Sequence, residues 1–117
     1  MSTHSPLDTA RVDELADLFG DKEILLELYD EFLEECPARL QTMRDGLEQQ
    51  KADLIDSGAH AIKGSSANLG AVGILETAKL VEELARTNDL DDVGEFLDRL
   101  EAEIMRLGGH LKAHGLD

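Results

Sequence analysis

The sequence predicts an all-α domain: an antiparallel four-helix bundle with a short extra helix at its N-terminal end. Three observations predict it. Apolar residues recur every three or four positions through nearly all of the chain after Leu7. No stretch sustains the alternation of a half-buried strand, and β-branched residues are sparse. Short turns separate the periodic segments, so each stripe is most readily buried against its neighbours in sequence. The 117 residues suit one domain, and a 42% hydrophobic fraction is enough for its core. With 3% aromatic residues and no Trp, that core has to be aliphatic.

The small polar stretch Met1 to Pro6 reads as a disordered tail over residues 1–6, with the domain spanning 7–117. Asp8 or Thr9 caps a first short helix carrying Val12, Leu15, Leu18 and Phe19, and Gly20 ends it. Asp21 caps a long second helix with the stripe Leu25, Tyr29, Phe32, Cys36, Leu40, Met43 and Leu47, running to about Gln49. Pro37 lies inside that stripe, but the phase survives it, so one kinked helix or two nearly collinear ones are expected. The third helix starts near Ala52 and carries Ile55, Ala59, Ile62, Ser66 and Leu69. Residues 69–73 form a tight turn. The fourth helix carries Ile74, Ala78, Val81 and Ala85, with Leu84 alongside, and Thr87-Asn88-Asp89 is a turn. The fifth carries Val93, Leu97, Leu100, Ile104, Leu107 and Leu111, and Gly108-Gly109 is expected to loosen its end.

Charge and cysteine content narrow the function. Eleven Lys and Arg against 26 Asp and Glu leave a formal charge of −15. A phosphate-backbone binder needs a basic surface, so nucleic acid is excluded as a partner, and so is an anionic membrane surface. A single cysteine, Cys36, rules out an internal disulfide and a multi-cysteine zinc site, and it falls on a core stripe, where a buried thiol is expected. No apolar run approaches the roughly 20 residues of a membrane span, and the first 30 residues hold no signal-peptide core. The expectation is a cytoplasmic protein.

The third helix carries the chemistry, in the stretch His60-Ala61-Ile62-Lys63-Gly64-Ser65-Ser66-Ala67-Asn68-Leu69-Gly70-Ala71. With the core stripe at 0° and about 100° per residue, His60 falls roughly 140° away, Lys63 roughly 80°, Gly64 roughly 180° and Ala67 roughly 120°. These four make an outward patch with an imidazole and an ammonium one turn apart. An exposed mid-helix glycine costs about 1 kcal/mol relative to alanine, and close approach of another molecule is the simplest compensation. The patch suits phosphoryl transfer. A neutral imidazole nitrogen is a competent nucleophile near neutral pH, a cation stabilises the added oxygens, and open access permits in-line approach. Singly, each of these residues reads as an ordinary surface feature; together on one face they do not.

His60 to Ala71, HAIKGSSANLGA, closely resembles the motif of histidine phosphotransfer (HPt) domains, H-x-L-K-G-S-S-x-x-L-G-A, with Ile62 in place of leucine. The stretches Phe19 to Leu25 and Phe32 to Glu35 are similar to the family's second-helix opening, and Ala78 to Arg86 to its fourth helix. The resemblance implies that His60 accepts phosphoryl on Nε2, that Lys63 stabilises it and that Gly64 leaves room for a receiver domain. Family members often place a glutamine 22 residues after the histidine; here that position is Glu82. A carboxylate there holds the Nδ1 proton and orients the ring, or it is a solvated acid on a helix face; both readings stay open.

The other candidates carry less. His110 and His114 have the i, i+4 spacing of a metal pair, but a frayed helix end is the better reading. His4 lies in the tail. Asp56, one turn before His60, reads as a solvated acid. No Walker motif or phosphate-cradling glycine loop is present. The expectation is therefore a free-standing, monomeric phosphocarrier of a multistep phosphorelay, without a kinase domain, cofactor or metal site of its own. Its partners are the receiver domains of a hybrid sensor kinase and a response regulator, and the resemblance places the Mg²⁺ of the exchange on the receiver's acids. The rivals are a phosphorylation-independent helical adaptor and a kinase-derived dimerisation bundle.

Overall fold

The computed structural model describes residues 5–116. Five helices follow one another: α1 Thr9–Phe19, α2 Lys22–Glu48, α3 Ala52–Leu69, α4 Val72–Arg86 and α5 Val93–His114. Helices α2 to α5 close into a ring in which α2 packs on α3, α3 on α4, α4 on α5 and α5 back on α2. Helix α1 touches α2 and α3 and covers one end. The molecule is the all-helical bundle that the periodicity predicts.

Local chemistry sets the helix ends. The Asp8 carboxylate accepts from the Ala10 and Arg11 amides, and Asp21 accepts from Glu23 N, each satisfying an amide that has no intrahelical partner. Gly20 adopts φ 70° to end α1. At the end of α3, Gly70 adopts φ 68°, its amide donates to Ala67 O, and the Ala71 amide donates to Ser66 O at 2.9 Å. This pairing stops the helix in two residues. The turn expected over 69–73 is therefore only Gly70 and Ala71, and α4 starts at Val72.

Helix α2 runs unbroken through Pro37, which settles the question of two helices in favour of one. Helix α5 also departs from expectation. It continues through Gly108 and Gly109 to His114, because Leu107 and Leu111 keep its inner face packed, and Gly115 at φ 62° ends it. The His110 and His114 rings, 5.1 Å apart, thus lie on regular helix and not on a frayed end.

The core is aliphatic, with Tyr29 and Phe32 its two buried aromatics. The predicted stripes are buried except at their ends, where Leu47, Leu69 and Leu111 are half-buried. In α1 only Val12 and Leu15 bury; Leu18 and Phe19 are exposed, since this helix leans on the bundle with one narrow face. Cys36 is fully buried, and burial first of all pushes its thiol up to about 11 despite Arg39 nearby. Of the predicted tail, Met1 to His4 lie outside the described residues, Ser5 is exposed, and Pro6 and Leu7 are buried.

Three contacts place α3. A Cβ on Gly58 would sit 2.6 Å from Met43 Cγ, so this glycine lets α2 approach closely. The Tyr29 hydroxyl donates to Leu69 O, and Arg11 Nε donates to Asn68 O at 2.9 Å, tying the end of α3 to α2 and α1.

Candidate functional site

With its inner face committed to Ile55, Ala59, Ile62 and Ser66, α3 has to present His60, Gly64 and Ala67 to solvent. The His60 side chain is 65% exposed. Lys63 lies at the margin towards α4, 28% exposed. A Cβ on Gly64 would meet nothing within 4 Å, so no intramolecular contact calls for a glycine there. Ser66, inside the core stripe, is satisfied by donating its hydroxyl to Lys63 O at 3.1 Å.

Glu82 is the residue whose character the structure decides. It stands on the inner side of α4 with its side chain 6% exposed, so it is not a solvated acid. Its Oε2 lies 2.7 Å from His60 Nδ1, and its Oε1 accepts from Lys63 Nζ at 2.7 Å. Arg86, one turn along α4, donates from Nη2 to Oε2 at 3.3 Å. Burial pushes the Glu82 carboxyl up. The hydrogen bonds from Lys63 and His60 and the Arg86 charge outweigh that and hold it below the ordinary carboxylate value. An ionised carboxylate only accepts hydrogen bonds, so the contact with Nδ1 places the ring proton on that nitrogen. Nε2 is then the atom with a free lone pair, on an exposed ring.

Asp56 does not reach the imidazole. It accepts from Arg86 Nε at 3.3 Å and braces the guanidinium from α3. Arg86 is the member of this cluster that sequence reasoning passed over, although Glu82 and Arg86 stand in the i, i+4 relation of a helix-surface ion pair. His60, Lys63 and Glu82 come together; Gly64 lies one turn from His60 on the open side; His110 and His114 are remote in sequence on α5 and form no cluster of three metal-ligating side chains among the described residues.

The arrangement can bind an electrophile at Nε2 from solvent, hold a proton at Nδ1 and supply an ammonium beside the reacting atom. Between α2 and α3 runs a shallow groove lined by Leu28, Phe32, Leu69 and Ser65 and edged by Glu31 and Glu35. No helix of the described residues is long and apolar enough to cross a membrane.

Residues 27–110 match the Hpt domain family. In structure the chain is similar to histidine-containing phosphotransfer protein B (HptB) from Pseudomonas aeruginosa PAO1, with a TM-score of 0.86 and 26% sequence identity, over 97% of this chain and 96% of that one. No curated protein matches the chain in sequence. Because the matched span takes in most of α2 and all of α3 and α4, and reaches far into α5, the chain belongs to the Hpt domain family, the histidine phosphotransfer domains of phosphorelays.

Proposed function

We propose that this protein carries phosphoryl groups between the receiver domains of a multistep phosphorelay, with His60 as the acceptor. A phosphoryl group arrives from the phosphoaspartate of one receiver, in a hybrid sensor kinase, and leaves to the aspartate of a response regulator. In the first transfer the Nε2 lone pair forms the N–P bond and the P–O bond to the aspartate breaks, releasing a carboxylate. The proton on Nδ1 stays where it is, the ring becomes an imidazolium, and Glu82 faces the new positive charge. The second transfer reverses these changes onto another aspartate.

One observation supports this reading above the others: an imidazole 65% exposed, with Nδ1 held 2.7 Å from a buried carboxylate and Nε2 left free. Lys63 stabilises the phosphoryl oxygens. Gly64, with empty space where a Cβ would stand, admits the receiver. The receiver docks over His60 and the α2–α3 groove. All these groups come from one chain, and we assign the protein to the cytoplasm as a monomer that holds no metal or cofactor of its own.

Incubation with a phosphorylated receiver tests the proposal. Acid-labile label should appear on the wild-type chain and be absent from His60→Gln. Label of equal strength on His60→Gln would remove His60 from the reaction. Binding of receivers with no label on either chain would favour the adaptor.

A further inference from the structure

Glu82 has two cations, and they lie on different oxygens. Lys63 Nζ lies on Oε1, the oxygen not shared with His60. Arg86 lies on Oε2, the oxygen that faces Nδ1, and its Nε is held by Asp56 of α3. The guanidinium is therefore tied to both helices of the site, whereas the Lys63 ammonium ends a flexible four-carbon stem.

Phosphorylation unsettles this balance. A phosphoryl group on Nε2 adds about two negative charges close to the imidazole and draws on the Lys63 ammonium. Glu82 then loses the ammonium on Oε1 while Oε2 faces the imidazolium, and a buried carboxylate short of a fixed cation draws the Nδ1 proton towards itself. A protonated Glu82 can no longer act as an anionic acceptor for Nδ1–H, which the imidazolium of the phosphorylated ring requires.

We infer that Arg86, braced by Asp56, is a positioning residue for phosphotransfer: it keeps Glu82 the carboxylate partner of His60 Nδ1 while Lys63 turns towards the phosphoryl oxygens. The inference rests on the proposed roles of His60 and Lys63. It adds that the two cations divide the work, one for the carboxylate and one for phosphorus. Arg86 touches neither the phosphoryl group nor Nε2 and acts through Glu82.

A double-mutant cycle tests it. Wild type, Arg86→Gln, Lys63→Ala and the pair of substitutions combined are phosphorylated with potassium phosphoramidate, a small donor that needs no docking surface. The His60 signal is identified in ³¹P spectra by its absence from His60→Gln, and its decay at neutral pH is followed. Arg86→Gln should shorten the phosphohistidine lifetime by up to about fivefold, the range of a partly exposed ion pair. Arg86→Lys should restore most of it. In the Lys63→Ala background Arg86→Gln should shorten it further, by at least as much, because Glu82 is then left with neither cation. Imidazole ¹⁵N spectra should show the Nδ1–H form preserved in phosphorylated wild type and weakened in Arg86→Gln.

No further effect of Arg86→Gln in the Lys63→Ala background would overturn the division of labour, as would an unchanged lifetime of the single variant. Should Arg86→Gln not fold, Asp56→Asn carries the same cycle with the same expected direction. A ³¹P signal that persists unaltered in His60→Gln would instead overturn the functional reading, and this inference with it.

Discussion

The two faces of α3 use the same small residues for opposite ends. On the inner side, Gly58 is where it is because α2 lies against it: an added Cβ would stand 2.6 Å from Met43 Cγ. On the outer side, one and a half turns further on, Gly64 has nothing within 4 Å. The first glycine answers to the fold. The second weakens a helix and meets no partner among the described residues, and the proposed function assigns its place to a docking receiver. Ile62 and Lys63 show the same contrast between neighbours in sequence: one is fully buried, and the other reaches sideways to Glu82.

Substitutions along the two faces should therefore separate stability from transfer. The largest effect on stability is expected at Ile62→Ala, which empties a fully buried site and should cost about 2–5 kcal/mol in urea unfolding. Gly58→Ala should follow with a loss of about 1–3 kcal/mol, because Met43 and α2 have to yield to the new methyl group. An unchanged midpoint for Gly58→Ala would show that the α2–α3 contact relaxes freely.

Glu82 on α4 is buried and also bonds the outer-face His60, and pH reveals its structural share. Its carboxyl titrates lower in the folded chain than the ordinary value of 4.5. Between those two values the unfolded chain binds the extra proton, so stability rises with pH. The contribution is complete above the unfolded value and is lost as the pH falls through the folded one. Unfolding free energies measured from about pH 3 to 7 should flatten in Glu82→Gln below about pH 4.5 and keep their form above it. An identical acid slope in the variant would remove Glu82 as a stabilising group.

The outer face should behave in the reverse manner. Gly64→Ala should raise stability by about 1 kcal/mol, the helix preference of alanine over glycine. It should also slow transfer from a phosphorylated receiver, yet leave labelling by phosphoramidate unchanged, since only a docked domain meets the methyl group. Equal transfer rates from the receiver would end the steric role of Gly64. Lys63→Ala should have the smallest effect on stability, within about 1 kcal/mol, because the side chain is partly exposed and its partner retains Arg86. Its effect should appear instead as a shorter-lived phosphohistidine.

Much of this was legible before any coordinates. A period of three to four residues specifies a helix and its inner face, so Leu25, Ile55, Ile62 and Leu97 could be assigned to the core from spacing alone. The outward position of His60 followed from the same arithmetic, and a twelve-residue motif carried its chemistry. Helix ends with a chemical signature, Asp8, Gly20 and Asp21, were equally readable. The gentler signals misled: Gly108 and Gly109 suggested a loosened end, but packing on both sides of them holds α5 regular to His114.

What helical period cannot encode is how two helices meet. The period turns Gly64 outward, but only the position of α2 gives Gly58 its reason. Glu82 could have been a solvated acid or the partner of an imidazole until the crossing of α3 and α4 put its oxygens 2.7 Å from Nδ1 and Nζ. Arg86 and Asp56 acquire meaning only once that carboxylate is buried and the guanidinium bridges it to Asp56. The chain's periodicity settles which residues face inward, because hydrophobic burial acts on the pattern as a whole. The fold settles which polar groups touch, because a hydrogen bond depends on tenths of an ångström between elements far apart in sequence.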